Sequence, residues 1–202
     1  MRVTLIQSTP NPIEMISTIA SICYGSNPDE PIKLVEHLYR NGHHSVFEHI
    51  YFTFKIEGIS RACSHQLVRH RMCSFTQRSQ RYCDENDFKY VAPPSIGDRN
   101  PYDAMMSELM EDYDALSANY PKEDARYILP NACCTDLYLS CNLRELIHIC
   151  NERLCSRAQW EIRDVVKEMV ELVDPDLKFM LVPKCKSGRI ICNSPCKAKG
   201  EN

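Results

Sequence analysis

One segment of the sequence, from Gly58 through Cys83, contains no Asp or Glu and concentrates positive charge. Its arginines are Arg61, Arg69, Arg71, Arg78 and Arg81. Like charges held this close together repel one another unless solvent or a ligand neutralises them. Phosphate suits this role because the planar guanidinium donates paired hydrogen bonds to its oxygens. The segment therefore predicts an anion-binding surface, and a solvated basic face is the alternative.

The residues around this segment predict how it is presented. Residues 51–58, YFTFKIEG, alternate bulky and polar side chains as a strand does, and the strand leads into a helix that carries Gln66 and the arginine triplet 69–71. A strand, helix and loop in this order would expose residues 69–82 at one rim. In an extended chain Arg69 and Arg71 point to one side and His70 to the other, whereas on a helix the two arginines diverge.

The remaining patterns predict an α/β (α+β) fold, in which helices cover a mixed sheet. Strands are predicted at residues 2–7 and 132–141, with a short edge strand at 89–95. Apolar residues at helical spacing predict helices from Pro12 to Gly25, from Pro31, and over residues 103–120. A short helix is expected at residues 122–130. Further helices are expected from Asn142, capped in a box with Glu145, and after Gln159.

Length and charge narrow the class of protein. A chain of 202 residues with a formal net charge of −3 is most simply one domain and is a poor candidate for a nucleic-acid coat protein. No apolar run approaches the roughly 20 residues of a membrane span, and the N-terminus lacks a signal-peptide pattern. A cytoplasmic protein without membrane partners is therefore predicted.

The twelve cysteines are interpreted as reduced thiols, most of them filling core positions. No pair has C-x-x-C spacing. A four-thiolate zinc site is the alternative for Cys155, Cys185, Cys192 and Cys196, although their spacing matches no common zinc motif. We predict a domain over residues 1–183 and a cysteine- and lysine-rich tail over 184–202, with no metal assigned.

Two further patterns bear on cofactors. The six glycines are scattered, so neither G-x-G-x-x-G nor a P-loop can form, and side chains would have to hold any dinucleotide. In GHHSVFEH, residues 42–49, a helix would bring His44 beside Glu48 and Ser45 beside His49. A metal site there is an alternative to a ligand-binding role, but the order lacks the H-E-x-x-H pairing.

The order of residues in the basic segment is more specific than its charge. Arg69-His70-Arg71, seven further residues and then Ser79 resemble the RHR-x7-S signature of the flavin-dependent thymidylate synthases, the ThyX family. Similar agreement is found in GHHSVFEH, in ARYILP at 125–130, and in NLRELIHICNERLCSRAQWEIR at 142–163. The resemblance covers about residues 30–165.

The resemblance implies a ThyX-like fold, a homotetramer and FAD bound across subunit contacts. It also implies a methyltransferase reaction of dTMP biosynthesis, in which methylenetetrahydrofolate donates a one-carbon unit to dUMP. NADPH would reduce the FAD, and the reduced flavin would supply a hydride. The flavin carries the difficult chemistry in such an enzyme.

The resemblance also assigns site residues. Positions matching those that hold dUMP are Gln66, Arg69, Gln77, Ser79, Arg81, Arg126 and Arg153, and Arg153 is the predicted catalytic residue. Positions matching flavin contacts are His43, Ser45, Arg69, His70, Arg71, Asn142, Arg144 and His148. A salt bridge to Glu123 or Asp124 is the alternative for Arg126.

The sequence departs from the family pattern in three places. Thr76-Gln77 stands where relatives often have Asn-Glu, His148 where relatives can have Asn, and Arg157 where many have a small residue or His. Gln77 would have to hydrogen-bond in place of a carboxylate. The rival hypothesis is a nucleic-acid-binding module in which Phe75 and Tyr82 stack on bases. That hypothesis leaves the arginines on separate later elements unexplained.

Overall fold

The computed structural model describes residues 1–25, 29–188 and 192. Four strands form one sheet: β1 Arg2–Ser8, β2 Tyr51–Ser60, β3 Ser74–Gln77 and β4 Cys134–Asn142. The α-helices are α1 Pro12–Tyr24, α2 Pro31–Arg40, α3 Arg61–Leu67, α4 Asn100–Ser117, α5 Lys122–Ala125, α6 Leu143–Arg153 and α7 Trp160–Leu172. Short 3-10 helices lie at Ser45–His49, Arg126–Ile128, Pro175–Leu177 and Lys184–Lys186.

The strands are ordered β1-β2-β4-β3, and each neighbouring pair is antiparallel. The predicted α/β class with helices over a sheet is confirmed, but the expectation of a mixed sheet is wrong for the described strands. Two helices separate β1 from β2, and two separate β3 from β4. Neither connection is the single crossover helix that joins parallel strands.

An irregularity at the end of β2 turns the chain from the sheet into α3. The register of β2 against β4 shifts between Ile56 and Ile59, and Gly58 has a φ of 67°, a conformation that suits glycine. Its N–H donates to the Asp136 carboxylate at 2.8 Å. Ser60 then caps α3 by accepting from the Cys63 N–H at 3.0 Å. This bend fixes where the arginine-rich segment begins.

The main core lies between the sheet and the helices α1, α2, α6 and α7. The apolar stripe predicted for α7 is confirmed, with Ile162, Val165, Val166 and Met169 fully buried. A smaller cluster of Phe88, Met106 and Cys133 lies under α4. Burial of this kind stabilises a fold by about 1.5–3 kcal/mol for each large apolar side chain. The face of α6 that is not buried is left for ligands.

Several local predictions need correction. Helix α3 ends at Leu67, so the triplet 69–71 lies in the turn beyond it rather than on the helix. The predicted edge strand at 89–95 is reduced to one bridge, Tyr90 with Cys133, because the prolines that follow cannot donate to a ladder. Trp160, expected in the core, is only half buried.

The boundary predicted at residue 184 stays a prediction, because most of the tail is not described. Cys196, one of the four candidate zinc ligands, lies outside the described residues. Over the described ranges, no helix has the length and apolar character needed to cross a bilayer.

Candidate active site

The arginine triplet alternates between solvent and interior. His70 is buried, whereas Arg69 and Arg71 on either side are exposed. The backbone carbonyl of Leu67 accepts from the His70 N–H at 3.0 Å, which forms a hydrogen-bonded turn directly after α3. Among the described residues, neither Arg69 nor Arg71 has a side-chain ion pair or hydrogen bond. Both guanidiniums are therefore available to an anionic ligand.

His70 is the centre of a buried polar cluster. Arg153 Nε donates to His70 Nε2 at 3.0 Å, and Arg153 Nη2 donates to the Gln66 carbonyl at 3.4 Å. On the other side of the imidazole, Glu145 Oε1 lies 3.6 Å from Nδ1. The His148 ring stands edge-on to His70 at 5.6 Å. The cluster thus joins the turn after α3 to one face of α6.

Two groups in this cluster, His70 and Glu145, have shifted pKa values. Burial, Arg153 and His148 together lower the pKa of His70 to about 4, so the imidazole is neutral at physiological pH. Burial raises the pKa of the Glu145 carboxyl, and His148 opposes that shift. Perturbed groups of this kind, placed beside a cavity, indicate a functional site.

A cavity of about 640 Å³ opens beside this cluster. Its lining includes the side chains of His44, Glu48, Met72, Asn142, Arg144, Glu145, Ile147, His148, Asn151 and Glu152. The predicted cap is confirmed in part: Asn142 Oδ1 accepts from the Glu145 N–H at 2.9 Å, which begins α6 at the cavity wall. The Glu145 carboxylate faces His70 instead of completing a capping box.

The predicted flavin positions divide into two groups around this cavity. Asn142, Arg144 and His148, which the resemblance assigns to the flavin, line it. His43 and Ser45 are exposed and do not line it, whereas their neighbours His44 and Glu48 do. The Glu48 carboxylate forms an ion pair with Arg144 at the rim. That pair explains the exposed glutamate without a metal.

The cavity has the donors and acceptors that a dinucleotide needs. Arg144 and His148 can donate to phosphate or carbonyl oxygens, and Ile147 and Met72 offer apolar contacts. Asn151 donates through Nδ2 to the Ile147 carbonyl at 2.6 Å, while its buried Oδ1 has no partner among the described residues. A buried amide oxygen of this kind can accept a hydrogen bond from a ligand N–H.

A second, smaller cavity of about 340 Å³ shares no lining residue with the first. It is lined by Arg61, His65, Gln80, Arg126, Tyr127, Leu129, Pro130 and Asn131. Ser79 and Arg81 lie beside it in the loop after β3, where Ser79 Oγ accepts from the Arg81 N–H at 3.2 Å. The predicted nucleotide residues are therefore divided between this cavity and the Arg153 cluster.

The salt bridge proposed for Arg126 is not formed. Arg126 Nε donates to the backbone carbonyl of Glu123 at 3.0 Å, whereas the Glu123 carboxylate pairs with Arg81 at 2.7 Å. Both members of the Arg81 pair are about half exposed. Such a pair contributes little stability, so a phosphate can replace the carboxylate at small cost.

Gln77 is committed to contacts within the protein. Its Nε2 donates to Ser64 Oγ at 2.9 Å and to Thr135 Oγ1 at 3.2 Å, which leaves the amide oxygen as its free ligand-binding atom. The neighbouring Arg78 is held by the buried Glu85 carboxylate at 3.0 Å. The extra positive charge expected at Arg78 is therefore neutralised inside the fold.

The structure groups three potential metal ligands that the sequence patterns did not bring together. One ligand atom from each of His70, Glu145 and His148 lies within 4.8 Å of the others. The sequence patterns assign Glu145 only to a capping box, because its spacing of three residues from Asn142 accounts for a glutamate at that position. Its spacing of three residues from His148 on one helix was the available signal.

Four of the eleven cysteines in the described ranges are buried, as expected for core positions: Cys63, Cys133, Cys141 and Cys150. The other seven are half-buried or exposed. Burial raises the pKa of the Cys63 and Cys133 thiols to about 12, and it also raises the pKa of Cys150. A hydrogen bond with Cys73 and burial raise the pKa of Cys141. These buried thiols are poor nucleophiles because the thiolate is the reactive form.

Comparison with known proteins places these sites in context. Residues 4–176 match the sequence model of the Thy1 family, described as "thymidylate synthase complementing protein". A flavin-dependent thymidylate synthase of Geobacter sulfurreducens is 41% identical, covering 99% of this chain and 92% of its own. The corresponding enzyme of Pyrococcus furiosus is 44% identical over 85% of this chain and 78% of its own.

Solved structures share the same fold. The crystal structure of thymidylate synthase X from Helicobacter pylori with FAD and dUMP superimposes with a TM-score of 0.77 at 24% identity. The alignment covers 92% of this chain and 99% of that one. The predicted fold, including its resemblance to this class, is confirmed.

Proposed function

This chain belongs to the Thy1 family of flavin-dependent thymidylate synthases, and we propose that it forms dTMP from dUMP with the two cavities described above. The enzyme class and the flavin dependence follow from membership of the family. The proposal concerns which residues carry out each part. It rests above all on one observation: Arg153, the predicted catalytic residue, is oriented beside a polar cavity by His70 and Gln66.

The first cavity fits FAD. Its lining provides Arg144, His148 and Asn142 as polar contacts, together with the buried, unpartnered Oδ1 of Asn151. Arg69 and Arg71 are exposed in the turn after α3. We assign them to the FAD phosphates because one guanidinium can donate two parallel hydrogen bonds to phosphate oxygens. His43 and Ser45 would contribute from the rim. When bound, FAD supplies the hydride chemistry that protein side chains cannot perform.

The nucleotide is assigned to Arg153, Arg81 and Arg126, and Arg69 is assigned to both ligands. Arg153 would present its remaining N–H groups to the pyrimidine and stabilise negative charge that develops on a uracil oxygen. Gln66, in the last turn of α3, is near it through its backbone carbonyl, and Arg69 follows on the turn after the helix. Arg126 lines the second cavity, Ser79 and Arg81 lie beside it, and all three would hold the phosphate. The Gln77 amide oxygen would accept a hydrogen bond from a donor elsewhere on the nucleotide.

The division of these residues supports a shared site. Arg153 belongs to the His70 cluster, whereas Arg126 lines a cavity with different walls. A homotetramer in which one subunit completes the site of another would bring the two sets onto one nucleotide. NADPH as reductant, methylenetetrahydrofolate as carbon donor and a cytoplasmic location belong to the same proposal and come from the resemblance and the sequence.

A visible absorption spectrum tests the central claim. The purified protein is expected to be yellow, to bleach under anaerobic NADPH, and to form dTMP when dUMP and methylenetetrahydrofolate are added. A folded protein that is colourless and does not bind added FAD would contradict the proposal.

The shared site has its own test. The protein is diluted until sedimentation shows monomers. At that dilution, flavin is expected to be released and turnover to stop together. A monomer that retains both would refute the claim that subunits share the site.

A further inference from the structure

Among the residues that the structure describes, Glu145 is the buried acidic side chain that lies beside His70 in the Arg153 cluster. It lies on the first turn of α6, and its backbone N–H donates to Asn142. Its carboxylate does not return to the helix start, and its Oε1 lies 3.6 Å from His70 Nδ1 instead. A buried carboxylate without a full set of donors costs stability. That cost is unexplained by the fold alone.

The hydrogen bond between Arg153 and His70 determines where the imidazole proton lies. A guanidinium N–H can only donate, so His70 Nε2 must accept at 3.0 Å. A neutral imidazole that accepts at Nε2 carries its proton on Nδ1. That Nδ1–H lies on the side of Glu145, whose Oε1 is 3.6 Å away. The three side chains therefore form a chain of polar contacts that runs from α6 through the turn after α3 and back to α6.

We propose that Glu145 is a positioning residue that holds His70 in its Nδ1–H tautomer, so that Nε2 remains the acceptor that orients the Arg153 guanidinium. This inference rests on the proposed function, because it assigns Arg153 to the nucleotide. With Nε held by His70 and Nη2 held by the Gln66 carbonyl, the guanidinium plane is fixed before substrate binds. Preorganised donors lose less entropy on binding than mobile ones.

The charged groups around His70 are consistent with a neutral ring. Arg153 and His148 face it from α6, and Arg69 and Arg71 flank it in sequence. Glu145 is the acidic group on this face. A second positive charge on His70 would meet Arg153 at hydrogen-bonding distance, and the lowered pKa of His70 agrees with this.

A metal ion held by His70, Glu145 and His148 is the competing explanation. These ligand atoms are close enough together, within 4.8 Å. A metal on Nε2 would displace Arg153, and a metal on Nδ1 would leave a proton on Nε2, where it would oppose the Arg153 N–H. A cation would also lie beside a guanidinium. The observed contact of Arg153 therefore favours the positioning role.

A double-mutant cycle tests the role directly. In the FAD-loaded enzyme, Glu145→Gln is expected to weaken dUMP binding by about tenfold, because a misoriented Arg153 would lose about one charged hydrogen bond to the nucleotide. Because Glu145 acts through Arg153, the same change in an Arg153→Ala background should cause no further loss. Glu168→Gln on α7, an exposed site with the same loss of charge, should leave dUMP binding unchanged.

The tautomer supplies a second measurement. The ¹⁵N chemical shifts of the His70 ring, assigned by comparison with His70→Gln, should show a proton on Nδ1 in the parent. In Glu145→Gln they should move toward a mixture of tautomers, because an amide can donate to Nδ1 as well as accept from it. A general structural role for Glu145 would not move these shifts.

Three outcomes would overturn the inference while leaving the proposed function standing, provided that the parent makes dTMP. One is unchanged dUMP binding in Glu145→Gln, and another is an equal loss in the Arg153→Ala background. The third is a stoichiometric metal in the purified parent that Glu145→Gln removes. A parent that binds no flavin and makes no dTMP would instead refute the proposed function.

Discussion

The triplet Arg69-His70-Arg71 and the later pair Arg78 and Arg81 belong to one acid-free stretch of sequence, yet the fold treats them differently. Arg78 and Arg81 each meet a carboxylate, from Glu85 and Glu123 respectively. Arg69 and Arg71 meet no carboxylate within the described residues, and His70 between them is buried. Absence of acids within a segment therefore does not mean absence of acids around it. Of these four arginines, only Arg69 and Arg71 retain the unpaired charge that calls for an anionic ligand. Arg61, earlier in the segment, also forms no ion pair within the described residues, and its guanidinium donates to the Arg78 carbonyl.

This difference weakens the nucleic-acid hypothesis. A strand-binding groove needs a continuous basic track along the segment. Internal pairing of Arg78 and Arg81 interrupts that track, whereas a small ligand with one or two phosphates needs only local charge. The comparison between the two ends can be tested by substitutions that touch one end at a time.

The largest expected effect is on the pH dependence of stability at the triplet end. His70 has a folded pKa of about 4, against about 6.5 in an unfolded chain. Above a pH of about 6.5, His70 is neutral in both the folded and the unfolded state, so its contribution to stability does not change with pH. As pH falls toward 4, the unfolded chain takes up a proton that the folded protein does not. Stability is expected to fall by about 3 kcal/mol across this window because of His70.

Urea unfolding of the parent and of His70→Gln over the same pH range measures the contribution of His70 to the free energy of unfolding. The raised pKa of Glu145 acts in the opposite direction, since the folded protein then binds its proton first. The difference between parent and variant isolates His70, and the variant should lose the fall at low pH. Identical pH dependence in the two proteins would show that His70 is not held neutral.

The next effect sharpens the contrast in ligand binding. Arg69→Ala is expected to weaken dUMP binding about tenfold to a hundredfold, because it removes a charged hydrogen bond. Its melting temperature should stay close to that of the parent, since no protein partner among the described residues loses a contact. Titration of dUMP into the FAD-loaded enzyme measures the affinity, and calorimetry measures the melting temperature. Arg40→Ala on α2, where the lost partner is the exposed Glu36, is the matched control. Normal dUMP affinity in folded Arg69→Ala would remove Arg69 from the site.

The other end of the segment should respond in stability. Arg78→Ala leaves the buried Glu85 carboxylate without its guanidinium donor at 3.0 Å, which is expected to cost about 1–3 kcal/mol. Chemical denaturation measures the loss. The double variant Arg78→Ala, Glu85→Gln should recover part of it, because a neutral amide is easier to bury than an unpaired carboxylate. Full stability in Arg78→Ala would contradict the distinction between the two ends.

The smallest effect is expected at the two half-buried cysteines of the segment. Cys73 is hydrogen-bonded to Cys141, and the Cys83 N–H donates to the Ser79 carbonyl through the backbone. Neither lies in the RHR-x7-S signature, and the buried thiols elsewhere are protonated. Cys73→Ser and Cys83→Ser, singly or together, should keep most dTMP-forming activity. Loss of turnover with normal FAD and dUMP binding, and a trapped cysteine–nucleotide adduct in the parent, would show that a thiol is the nucleophile.

Much of the fold was predictable because its signals are local. Pro12 and Gly25 bound α1, the apolar spacing of α7 gives its buried face, and Asn142 caps α6. Each depends on residues within a few positions of one another. Arg144 and His148, which line the larger cavity, were assigned instead through the family resemblance. The RHR-x7-S order was sufficient to indicate the family.

Tertiary structure decided the parts that depend on distant partners. Whether an arginine is free or paired was set by carboxylates brought from elsewhere, as Glu123 is to Arg81 across 42 positions. The end of α3 before the triplet, the antiparallel direction of β1 and β2, and the approach of Arg153 to His70 across 83 positions are of the same kind. Spacing along the chain carries no record of these contacts. They arise only when burial of the core brings separate elements together, as it does α6 and the turn after α3. The sequence therefore identified the chemistry, while the fold determined which charges remain available to perform it.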